Sequence, residues 1–272
     1  MKYLLPVVIV FLLFSFASSV FSQSASPSQF NFDQAYRDYL YNSDQYRKAN
    51  LDYELYRSQY LKFKTLKSQE NAYSATLSLL KTRDETIKTY MTALRLKLSE
   101  TPGADGAKKA VIFTKIDQEV AWHTAHHNSL PSAGSLEDLV SDSDEAKARF
   151  NADRPLFYDS LIAISGGKVA YVRGKEEEIL AALKEKTAEI RANGDKNTQI
   201  LERWELDTEE KITRCKEKEA EAYAAIAKAG ASGNEAATSY NQALFRLKEA
   251  FQYLKEANSY LKEIVNEIKY QD

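Results

Sequence analysis

From Tyr240 to Ile268 the chain places Tyr240, Leu244, Leu247, Phe251, Leu254, Asn258, Leu261, Val265 and Ile268 four and three residues apart in strict alternation. This spacing keeps one stripe turned toward a partner helix through about four heptads. Beside it, Ala243, Ala250, Ala257 and Ile264 recur at seven-residue steps. Small residues there widen the apolar face and let a neighbour approach closely, which suits a bundle better than a two-stranded zipper. Asn258 is the one polar member of the seam, a position that can set register or partner number.

The segment from Thr65 to Leu98 follows the same rule through Tyr73, Leu77, Leu80, Asp84, Ile87, Met91, Leu94 and Leu98, with Asp84 as its polar interruption. Upstream, Phe32, Tyr39, Tyr46, Tyr53 and Tyr60 form a row at seven-residue intervals, accompanied by Ala35, Ala49, Tyr56 and Phe63. The two registers disagree between Phe63 and Leu66. Residues 30–99 therefore read as one long helix with a register shift near 63–66, or as two helices in line.

Breakers are few. The 272 residues include nine glycines and five prolines, and most cluster at 102–106, 131–134, 166–167 and 230–233. The intervening stretches are rich in good helix formers, and none shows the alternation of a strand between turn signals. The expected fold is all-α, an elongated antiparallel bundle of long coiled-coil-like helices. Further helices are expected over about 106–129, 135–153, 155–192, 195–229 and 234–270. The third of these opens at Pro155 and either runs through Gly166 and Gly167 or breaks there. Ser135 begins a capping box. Expected inward positions are Phe113, Ile116 and Val120, then Ile179, Leu183 and Ile190, then Leu201, Trp204, Ile212, Cys215, Ala222 and Ile226.

The first residues carry one positive charge at Lys2, an apolar run to Phe16, and small residues at Ala17, Ser18, Ser19 and Ser22. That order reads as a secretory signal over 1–22, followed by a polar linker over 23–29 and a single helical domain over 30–272. The competing reading is an uncleaved N-terminal anchor, since the run nearly reaches spanning length. No cysteine lies at the cleavage site, so a lipoprotein signal is not indicated.

Charge is nearly balanced, 37 basic against 39 acidic residues. Basic runs are short and interleaved with Glu, the pattern of solvated helix faces, so no nucleic-acid partner is expected. Cys215 is the sole cysteine, which excludes an intrachain disulfide and favours a buried thiol three residues after Ile212.

Three candidate sites stand out. His123, His126 and His127 are all the histidines of the chain. On a helix His123 and His127 lie one turn apart, with Glu119 a turn earlier, a spacing that suits a transition metal; the plainer reading continues the Phe113–Ile116–Val120 seam into them. Tyr36 and Tyr41, off the tyrosine row, are candidates for an exposed ligand-binding surface such as one for envelope glycans. Residues 161–172 are the most apolar stretch outside the signal and could form a membrane-inserting hairpin, although a buried helix with glycines at a close crossing is the commoner use. No nucleophile motif or phosphate loop occurs, so no enzymatic activity and no cofactor are expected.

The run from Tyr53 to Leu66 (Tyr-Glu-Leu-Tyr-Arg-Ser-Gln-Tyr-Leu-Lys-Phe-Lys-Thr-Leu) resembles a pattern in predicted secreted helical proteins of uncultivated, small-genome bacteria. The segments Thr82-Arg-Asp-Glu and Tyr90-Met-Thr-Ala-Leu-Arg-Leu-Lys-Leu extend it. The resemblance covers residues 30–100 best and Pro131 to Leu139 more weakly. It implies export in a bacterium and supplies no site residues. The expected function is a non-enzymatic cell-envelope or extracellular protein acting through helix-mediated contact with a protein partner or a second copy, as scaffold, spacer or adhesin component. Membrane contact is expected only through an uncleaved signal or residues 161–172.

Overall fold

The structure, a computed structural model, describes residues 31–194, 197–229 and 233–270. The signal over 1–22 and the linker over 23–29 lie outside the described residues. Residues 31–272 form one compact unit, all-α among the described residues. Its helices are α1 (Phe32–Phe63), α2 (Leu66–Ser99), α3 (Gly106–Ser129), α4 (Leu136–Asn193), α5 (Gln199–Ala227) and α6 (Gly233–Tyr270), with a 3-10 turn at Leu130–Ser132.

The shift in register near residues 63–66 is a reversal of the chain, so the in-line reading is corrected. Lys64 adopts the left-handed conformation at φ 48°, and its N–H closes α1 on the Tyr60 carbonyl. Thr65 then caps α2, exchanging hydrogen bonds with Ser68 in a capping box. The helices return side by side: Thr86 Oγ1 donates to the Asn42 carbonyl at 3.0 Å, the Tyr39 and Tyr90 rings lie 5.1 Å apart, and Phe32 N–H reaches Glu100 Oε1 at 2.9 Å. The tyrosine row is half-buried along this hairpin, and Ala35 and Ala49 are its buried members.

The helices expected over 135–153 and 155–192 are one, α4, with Pro155 inside it. Ser135 caps it as anticipated, accepting from the Asp138 N–H at 3.1 Å. At 58 residues it is about 87 Å long, and it is shared by two groups of helices. Its N-terminal part packs with α2 and α3, where Leu139 joins Leu80 and Leu130 and Leu156 and Phe157 join Met91, Leu94, Leu98, Ile112 and Ile116. Its C-terminal part packs with α5 and α6 in successive layers. Ile162 meets Ala222, Ala243 and Leu247, Val169 meets Cys215, Ala250 and Leu254, and Leu180 meets Ile212, Ala257 and Leu261. Packing on both sides of Pro155 outweighs the hydrogen bond that proline withholds.

Residues 161–172 are thus core. Ile162, Ala163, Ile164, Gly166, Gly167 and Val169 are all buried, the arrangement of a buried helix with glycines at a close crossing. The glycines serve a close crossing: a Cβ on Gly167 would lie 2.7 Å from Ala104 Cβ and 2.9 Å from the Ala104 backbone nitrogen. Gly103, at φ +72°, turns the chain there.

In α6 the alanine row, not its flank, is the centre of the seam. Ala243, Ala250, Ala257 and Ile264 are fully buried with Leu247, Leu254 and Leu261. Asn258 is exposed at the border, where its amide bonds the buried Glu176 carboxyl of α4. In the C-terminal half of α4, Ile179 faces outward and Leu180 takes the inward place.

Candidate functional site

The inward stripe of α3 is Ile112, Ile116, Glu119, His123, His126 and Leu130, again four and three apart. Three consecutive members are polar. They face Asp84, the polar member of the α2 seam, and charged groups of α4.

Asp84 and His123 are both 0% exposed. Asp84 Oδ1 accepts from His123 Nδ1 at 2.8 Å, and Oδ2 accepts from His126 Nδ1 at 2.6 Å. Nε2 of His126 points at the Asp142 carbonyl oxygen, 3.3 Å away. An oxygen acceptor at each nitrogen favours a proton on each, the imidazolium form of His126 beside the Asp84 carboxylate. Burial opposes ionisation of Asp84, but the two imidazole hydrogen bonds and His126 charge outweigh it and hold its pKa below the ordinary value. Burial likewise pushes His126 down, and the Asp84 hydrogen bond and charge overcome it, leaving the pKa raised. His123, donating through Nδ1, keeps an Nε2 with no protein partner.

Trp122 closes the layer, stacked on His126 at 4.9 Å and edge-on to His123 at 4.8 Å. Arg149 of α4 lies over the indole at 5.6 Å and donates through Nε to Glu119 Oε2 at 2.6 Å. Burial alone would raise the Glu119 pKa, but hydrogen bonds from Arg149 and Asp153 bring it below the ordinary value. Asp153 moves the other way, pushed up to about 7 by burial and by the neighbouring Glu119. Of the two carboxyls beside this guanidinium, Asp153 therefore takes up a proton more readily. Arg83, next to Asp84 in sequence, donates to Ser143 Oγ at 3.3 Å.

The set His123, His127 and Glu119 is not assembled as a metal centre. His123 is held by Asp84 through Nδ1 with its Nε2 unpaired, but Glu119 is engaged by Arg149. His127 turns to the other side, with Nδ1 3.4 Å from Glu85 Oε1. Among the described residues no group of three or more His, Cys, Asp or Glu is arranged to hold a metal ion. The partner of the histidines is Asp84, and the second histidine at the layer is His126. Reading α3 from Ile112 instead of Phe113 rotates the seam by one residue and would have found it. Arg149 and Asp153 carried no sequence signal beyond their place on a helix.

Tyr36 and Tyr41 do not form one surface either. Five residues apart, they point about 140° from each other around α1. Tyr36 is half-buried, stacked on Phe32 at 5.6 Å and beside Tyr39 at 6.1 Å, whereas Tyr41 is exposed. Cys215 is buried and free, its thiol pushed up to about 12 by desolvation and the Glu219 carboxylate.

Chemically the polar layer offers a buried histidine–carboxylate pair and two carboxyls beside a guanidinium. Its reach across α2, α3 and α4 makes it a register lock, in which any slip of one helix would strand a charge. No family model, curated protein or solved structure matches this chain, so no relative supplies a site residue or an activity.

Proposed function

We propose that this is an exported, non-enzymatic protein of a bacterial cell envelope or its exterior that works through helix-mediated contact with a protein partner or a second copy. The observation that carries the reading is an outward apolar stripe on α1. Leu40, Leu51 and Leu55 are all exposed, Leu51 at 66%, and they fall within about 60° of one another around the helix. Asp44 and Lys48, joined by an ion pair of 2.8 Å, lie on the same face. A face of this kind suits a further helix laid along it. The apolar N-terminal run and the resemblance over residues 30–100 support export.

A photo-crosslinking residue at Leu51, in cells producing the protein, tests the contact. A discrete crosslinked species that is lost in Leu40→Glu/Leu55→Glu is expected. A purified protein that is monomeric, together with cells that yield no crosslink at Leu51, would overturn the proposal. Fractionation of the same cells tests export: recovery in the cytoplasmic fraction would refute it.

A further inference from the structure

We propose that the α1–α2 hairpin tip is a docking point for an anionic lipid surface. This goes beyond the protein contact proposed for the α1 stripe and does not depend on it. Every residue from Leu61 to Lys67 (Leu-Lys-Phe-Lys-Thr-Leu-Lys) is exposed. Leu66 is 73% and Phe63 58% exposed, at the point where the chain reverses. Apolar side chains at a turn tip, with no element among the described residues packed over them, leave a wedge that water covers poorly.

The charge around the wedge selects its partner. Between Leu55 and Gln69 the basic residues are Arg57, Lys62, Lys64 and Lys67, and there is no acidic residue, in a chain whose acidic residues outnumber its basic ones. Lys62 lies over the Phe63 ring at 5.2 Å, so cation and aromatic face occupy the same spot. Lys67 has Glu70 at 3.4 Å, an exposed pair that water screens. Tyr56 and Tyr60, both half-buried on the last turns of α1, are residues suited to a headgroup boundary.

The depth also fits. Tyr73 Oη donates to the Ala133 carbonyl at 2.7 Å, where the hairpin meets the turn before α4. The seven steps of helical rise from Leu66 to Tyr73 place the tip about 10 Å beyond that contact, close to the depth of headgroup burial for interfacial elements. No helix among the described residues is long and apolar enough to cross a membrane. The tip therefore inserts at the interface, with Phe63 and Leu66 among the upper acyl carbons and the lysines at the lipid phosphates.

The test uses the full chain with an environment-sensitive fluorophore on Leu66→Cys, Cys215 being buried. A control label sits on Ser99→Cys, at the far end of α2. The Leu66 label is expected to brighten several-fold with vesicles containing phosphatidylglycerol and to stay dim with phosphatidylcholine alone. Each basic residue near an anionic surface strengthens binding by about fivefold, so Lys62→Gln/Lys64→Gln/Lys67→Gln should weaken it by about a hundredfold. All three side chains are exposed, so the fold should not be disturbed. A Leu66 label that stays dim overturns the proposal, and brightening of the Ser99 label alone assigns binding to the opposite end of the hairpin. Equal brightening with neutral vesicles, or with soluble poly-glutamate, also overturns it, the last in favour of an acidic polypeptide.

Discussion

Replacing Asp84 tests whether the polar layer holds α2, α3 and α4 in register. Its carboxylate is fully buried and accepts from both His123 and His126. Asp84→Ala leaves two buried imidazole N–H groups without an acceptor and one imidazolium without its counter-charge. Breaking a buried pair in this way costs about 3–5 kcal/mol. Asp84→Asn keeps the shape and one acceptor, so its cost is the loss of one charged hydrogen bond, about 1.5–3 kcal/mol. With a urea m-value of about 3 kcal/mol/M, the unfolding midpoint should fall by about 1–1.7 M for Ala and about 0.5–1 M for Asn. Far-UV circular dichroism follows the transition. The asparagine variant keeps the experiment readable if the alanine variant does not fold. Midpoints within about 0.3 M of the parent for both variants would refute the layer's role. NMR of the His126 imidazole gives a second readout: its pKa, raised beside Asp84, should drop in Asp84→Asn.

Gly167→Ala drives a methyl into the Ala104 backbone and should lower stability by about 1–3 kcal/mol. Gly174→Ala, with nothing within 4 Å of the new Cβ, should raise it by about 0.5–1 kcal/mol; thermal melts that reverse this order would be contrary evidence. Cys215, with its thiol pushed up to about 12, should resist a disulfide reagent until the chain is unfolded, and prompt native labelling would contradict the buried seam. Stability should fall as pH rises from about 5 to about 8. Glu176 and Asp153 both titrate near 7 when folded, above the unfolded value of about 4, so the stability from their protonated forms is full below about pH 4 and lost toward 7. The raised His126 acts in the same direction, its contribution full below about pH 6.5 and lost above. Asp84 opposes them only at the acid end, where its contribution is lost as pH falls below about 4. A urea midpoint that climbs between about pH 5 and about pH 8 would contradict these signs.

Much of the fold was readable from periodicity alone. The α2 seam runs through the residues that spacing selects, with Leu80, Asp84, Met91, Leu94 and Leu98 all buried, because a four-three repeat is itself the geometry of a helix face meeting another. The reversal at Lys64 was not readable as such. A left-handed residue normally announces itself as Gly or Asn, and here a lysine takes that conformation amid good helix formers. Pro155 misled in the opposite direction, since local propensity argues for a break and tertiary packing of Leu156 and Phe157 carries the helix through.

The polar layer shows what reading one helix at a time leaves out. Drawn through Phe113 and Val120, the α3 seam looks more apolar and steers toward His127. Drawn through Ile112 and Glu119, it has three polar members in succession and looks worse as an isolated helix. It is the correct one because those members are matched by groups on other helices. A charge can be buried only if an opposite charge or a hydrogen-bond partner is buried with it. Each polar residue in one seam therefore calls for a complement in a facing seam. Asp84 finds His123 and His126, Glu119 finds Arg149, and Glu219 of α5 finds Arg173 of α4 at 2.9 Å. Seam positions that break the apolar pattern should thus be read in pairs across helices. The pairing of Asp84 with the histidines of α3 is one such match, and it sets α2 and α3 face to face.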